Sequence, residues 1–96
     1  MSYAVVISEQ VREVLQSLPF ELTEFVWDRF EELLEDPVTL GQPGDARDPA
    51  GQRYRFLGNF GPKTYLFEAS FRYLDTADEN QLLIAHLVVS EWLDAG

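Results

Sequence analysis

The apolar period of this chain changes once, near residue 52, and that change leaves few architectures open. Before it, Val11, Val14, Leu15 and Leu18 recur at i, i+3, i+4 and i+7. Leu22, Phe25, Val26, Phe30, Leu33 and Leu34 extend the same pattern over a longer run. Such spacing places one apolar stripe on each of two helices. After it, the period is two. Arg53, Arg55 and Leu57 alternate with Tyr54 and Phe56, and Tyr65, Phe67, Ala69, Phe71 and Tyr73 alternate with Leu66, Glu68, Ser70 and Arg72. This is the pattern of strands whose two faces meet different surroundings. Helices followed by strands, rather than interleaved with them, predict an α+β domain.

Local signals divide the chain further. Residues 3–7 (Tyr-Ala-Val-Val-Ile) are β-branched and aromatic and predict a first strand. Ser8 follows as a helix N-cap, with Glu9 in the first turn. Pro19 ends the first helix and suits the first turn of the next, so the two form a tight αα-hairpin. Asp36-Pro37 closes the second helix. Residues 37–51 hold three prolines and three glycines, which predicts a long loop, either functional or a plain crossover. Residues 58–62 form a turn, residues 75–80 a second, polar turn, and residues 90–95 a tail or helical turn. Residues 81–89 are apolar on both faces except for His86, which predicts a central strand beside both the first strand and the 64–74 strand. The expected architecture is β-α-α-β-β-β over one domain, residues 1–96: an antiparallel sheet of three to four strands with a two-helix hairpin on one face.

The 96 residues are 46% hydrophobic, enough for one packed core and too few for two. There is no cysteine, so disulfides, thiolate metal sites and thiol nucleophiles are excluded; this fits a reducing cytoplasm. The N-terminus lacks the basic and long apolar regions of a secretory signal, and no run is long enough to span a membrane. No glycine-rich phosphate loop precedes a helix, and one histidine cannot supply a multi-histidine metal site, so neither cofactor nor metal is expected. Glu21, Glu24, Asp28, Glu31, Glu32 and Glu35 form an acidic stripe on the second helix, which reads as a solvated face or as a weak site for a hard cation.

Net charge is −10, which argues against nucleic acid as a partner because like charge repels a phosphate backbone. The charge is uneven. Residues 1–48 carry a net −8 and residues 49–96 a net −2, and no acid lies between Asp48 and Glu68. That interval holds Arg53, Arg55 and Lys63. Three cations without neighbouring carboxylates are candidates to grip a phosphate or to stabilise a charged transition state, and equally candidates to pair with acids of the helices or of a partner. Tyr54 and Tyr65 are candidate stacking groups beside them. His86 is a candidate acid–base group, or a histidine bonded to backbone.

These segments, in their order, resemble the RelE/ParE superfamily of toxins from type II toxin–antitoxin systems. The opening Tyr3-Ala4-Val5-Val6-Ile7-Ser8 resembles that family's first strand entering its first helix, Leu15-Gln16-Ser17-Leu18-Pro19 its helix junction, and Leu33-Leu34-Glu35-Asp36-Pro37 the end of its second helix. Tyr54-Arg55-Phe56 is similar to the start of its second strand, and Gly61-Pro62-Lys63-Thr64-Tyr65-Leu66-Phe67 to the segment after it. The resemblance covers residues 3–90. It implies a toxin-like fold covered by an antitoxin segment. RelE-type members cleave mRNA on the ribosome with a cluster of Lys and Arg, and ParE-type members act on gyrase by binding. On that pattern Arg55 matches the first basic position, Leu57 stands at the second, Lys63 is the stand-in for the next strand's cation, and Val89-Ser90 takes the place of the terminal basic residue.

Three functions follow as expectations. The first is a toxin-fold protein that acts mainly through protein binding, with an antitoxin or another protein as partner. The second is a divergent endoribonuclease using Arg55, Lys63 and His86. The third is a regulatory or structural module that keeps the fold.

Overall fold

In the computed structural model, which describes residues 3–43, 51–75 and 80–92, the elements follow in the order β1 (Ala4–Ile7), α1 (Glu9–Ser17), α2 (Phe20–Glu35), α3 (Pro37–Leu40), β2 (Gln42–Pro43), β3 (Gln52–Phe60), β4 (Lys63–Asp75) and β5 (Asn80–Glu91). The five strands make one sheet in the order β1-β5-β4-β3-β2. β5 is the inner strand beside both β1 and β4, as its apolar content implied.

Two features correct the expected sheet. It is mixed, because β1 runs parallel to β5, with Val5 opposite Leu82 and Ile7 opposite Ile84. It also has a fifth strand, the two-residue β2 paired to Arg53 and Gln52. β2 and the one-turn α3 both fall where a continuous loop was expected. Pro37 explains the turn of helix: it ends α2 yet sits in the first turn of α3, where its missing N–H costs nothing. Asp36 caps that turn by accepting from the Thr39 N–H at 3.3 Å. The remainder of the proline- and glycine-rich segment, most of the 75–80 turn and most of the tail after residue 90 lie outside the described residues.

Both main helices lie on one face of the sheet. Val11 and Leu15 of α1 and Leu22, Val26, Phe30 and Leu33 of α2 pack against Tyr54 and Phe56 of β3, Phe67, Ala69 and Phe71 of β4, and Leu82, Ile84 and Leu87 of β5. The helices are linked by Leu18 and Pro19 alone, and the Thr23 hydroxyl donates to the Leu15 carbonyl at 2.9 Å to hold the corner. The β3–β4 hairpin turns on Gly61 and Pro62. Gly61 has φ +60, which a two-residue hairpin of this hand requires at its first central position, and proline's fixed φ suits the second.

One irregularity decides where the residues of β5 face. The β4–β5 register runs Phe71 to Ile84 and then Ser70 to His86, so Ala85 is an extra residue, a β-bulge. Leu82 and Ile84 point to the helices before the bulge, and Leu87 does after it. A period-two reading without the bulge makes the strand look apolar on both faces; with it, His86 and Val88 are turned away from the core. The bulge is tied to the start of α1. Ser8 accepts from the Val11 N–H at 3.2 Å as N-cap, donates its own hydroxyl to the Ala85 carbonyl at 2.6 Å, and donates its backbone N–H to the Ile84 carbonyl at 3.1 Å. Gln10 continues the edge where β1 stops. Its side-chain amide donates to the Leu87 carbonyl and accepts from the Leu87 N–H, both at 2.9 Å, as the next residue of a strand would.

Candidate functional site

The helices leave the second face of the sheet uncovered, and strand register orders what stands on it. Side chains alternate between faces, so the partners of buried positions identify the open ones. Three rows cross β3, β4 and β5: Arg53–Ser70–His86, Arg55–Glu68–Val88 and Leu57–Leu66–Ser90. A fourth crosses β4, β5 and β1 as Arg72–Leu83–Val6. Large apolar side chains are exposed in three of these rows, Leu57 at 48%, Val88 at 56% and Val6 at 37%, and Arg53, Arg55, Arg72 and His86 stand among them.

Arg55 and Glu68 face each other at the centre, with Nε to Oε2 at 3.8 Å. Both are more than a third exposed, so this pair contributes little stability, but it leaves that row with no net charge. Arg53 and Arg72 are not without partners either. Among the described residues the open face carries the guanidiniums of Arg53, Arg55 and Arg72 and the carboxylate of Glu68.

The cations named from sequence do not converge. Arg53 and Arg55 share the open face with His86, and Arg53 and His86 lie in one row two strands apart. Lys63 does not join them. It pairs with Phe60 across the hairpin turn, which places it on the helix side at the tip of the sheet, with Nζ 3.9 Å from Oε2 of Glu91. Tyr54 and Tyr65 also lie on the helix side. Tyr54 is buried in the core and Tyr65 packs against it, so neither ring is on the face that carries the arginines. Burial pushes the Tyr54 phenol above its ordinary value, opposed by the Arg29 guanidinium and reinforced by Glu32. Arg29 itself lies over the Phe25 ring at 5.2 Å and donates to Glu32 at 3.0 Å.

Glu68, Ser70, Arg72 and Val88 belong to this surface but are not among the candidates the sequence points to, where Leu57 enters only as the apolar residue at the second basic position. For Arg72, Ser70 and Glu68 the signal was present in the alternation of β4. For Val88 there was none, since the bulge sets its direction. Among the described residues no group of three or more His, Asp or Glu is gathered as a metal site, and no helix is long and apolar enough to cross a membrane.

Two helices on one face of a mixed sheet, with no described element on the other, form a RelE-like fold. A chain of the crystal structure of the RelBE2 toxin–antitoxin complex from Mycobacterium tuberculosis has this fold. It matches 91% of the present chain over 96% of its own length, with a TM-score of 0.69 and 18% sequence identity. At that identity the likeness is one of fold. No protein-family model matches the sequence, and comparison with curated proteins yields no match.

Proposed function

We propose that this chain is a toxin-fold protein that acts by binding another protein through its open sheet face, in the cytoplasm, with an antitoxin among its partners. One observation carries the proposal. The open face joins exposed Leu57, Val88 and Val6 to a band of arginines, of which Arg55 is already tied to Glu68. Apolar side chains with interspersed arginine are the composition of a protein interface core. A surface that cleaves RNA needs converging cations and a proton-transfer set held toward the phosphate. Here Lys63 stands on the other side of the sheet beside Glu91, and the molecule as a whole repels a polyanion. The absence of cysteine supports the reducing compartment.

Growth of bacteria expressing the chain tests this. The parent is expected to arrest growth. Leu57→Asp with Val88→Asp should relieve arrest while circular dichroism stays unchanged, and Arg53→Ala with Arg55→Ala, which spares the apolar contacts, should relieve it less. Relief by the arginine pair and not by the aspartates would favour the endoribonuclease reading. A harmless parent would favour a regulatory or structural module.

A further inference from the structure

On the helix side, away from the open face, residues of α1, α2 and the end of β1 line a mostly apolar groove, largely open to solvent, of about 420 Å³. Ile7 at the end of β1 contributes to it, with Leu15 and Leu18 from the α1 side and Phe20 and Trp27 from α2. Phe20 is 74% exposed at its mouth. Being so open, the groove seats one face of a small ligand against a mostly apolar lining and does not enclose it.

The polar groups of the cleft restrict what fits it. Thr23 has its hydroxyl committed to the Leu15 carbonyl. Arg12 carries the one charge among the lining residues, and its guanidinium makes no ion pair with any described residue. Gln16, one turn on, adds an amide. We infer that the cleft binds a small amphiphilic monoanion, an apolar body seated between the helices with its carboxylate on Arg12. Charge complementarity points to an anion despite the acidic chain. The long-range repulsion is screened beyond roughly 8 Å at physiological salt, whereas the contact with Arg12 is direct and flanked by apolar surface.

Octanoate, octanol and octylammonium share one tail and differ in head charge, so they test the inference on the whole chain. Binding is read from NMR shifts of Ile7, Leu15 and Leu18 and from Trp27 fluorescence in a Trp92→Phe background. Octanoate is expected to bind about tenfold tighter than octanol and octylammonium, the scale of one charge-assisted contact at a partly wet site. Arg12→Gln should bring octanoate to the level of octanol, and Phe20→Ser, at a position 74% exposed, should weaken binding of all three with the fold intact. Equal affinity for the three heads, no effect of Arg12→Gln, shifts confined to the open sheet face, or no binding of octanoate would each overturn the inference.

Discussion

Gly58 offers the sharpest perturbation of the packing that builds the open face. It lies within β3 on the helix side, and a Cβ built there meets the Phe25 ring at 2.5 Å, against 3.4 Å or more for ordinary contact. The ring has little room to retreat. Phe56, Phe60 and Phe67 surround it with centroids 5.7, 5.5 and 5.7 Å away, and Arg29 covers it at 5.2 Å. Overpacking of this kind costs about 1–3 kcal/mol. Replacing a strand glycine by alanine returns about 0.5–1 kcal/mol of backbone entropy. Gly58→Ala should therefore destabilise the domain by about 1–2 kcal/mol, a fall in Tm of roughly 5–15 °C for a chain this size. Phe25→Leu removes the obstructing ring. In a double-mutant cycle by urea unfolding, the pair should lose at least about 1 kcal/mol less than the sum of the single changes. If Gly58→Ala is as stable as the parent, or if the cycle is additive, the close approach of α2 to β3 described here is wrong.

Other consequences of the structure are open to measurement. Ser8→Ala removes an N-cap and the hydroxyl that satisfies the bulge carbonyl, and should cost about 1–3 kcal/mol in urea unfolding; Ser8→Thr should restore most of it. Arg55→Ala, Glu68→Ala and their double mutant should show a coupling of no more than about 1 kcal/mol, because the pair is solvent-exposed. The Tyr54 phenol is held above the ordinary 10.0, chiefly by burial. A phenol whose folded pKa is raised favours the folded state fully below pH 10 and loses that contribution as pH rises through the folded value. The urea midpoint should accordingly fall above pH 10, and Tyr54→Phe should flatten the fall; an unchanged slope would contradict the burial of its hydroxyl.

Most of the fold was legible because its signals are local. The stripes of α1 and α2, the cap at Ser8 and the alternation of β3 and β4 each depend on residues close in sequence, and those elements form where their period places them. The exceptions are that β3 runs on through Gly58, Asn59 and Phe60, which read as turn, and β5 runs on through Ser90 and Glu91, which read as tail. Elements that depend on distant partners were not legible. The parallel pairing of β1 with β5 is set by the route of the chain through both helices, and β2 exists only because β3 lies beside it. The Ala85 bulge is invisible in an all-apolar run, yet it turns His86 and Val88 outward. Lys63 was a different case. Counting the pleat back from Tyr65 already assigns it to the helix side, but nearness to Arg55 in sequence suggested a cluster that the hairpin separates.

The idea that this face recognises protein and not RNA meets its most direct test in a titration of the purified chain into fluorescent single-stranded RNA at low salt, followed by anisotropy. A chain of charge −10 with Arg55 tied to Glu68 and Lys63 on the far side of the sheet should show no saturable binding tighter than about 100 μM, even where screening is weakest. Binding near 10 μM or tighter that weakens with salt and disappears on changing Arg53, Arg55 and Arg72 to alanine would contradict it.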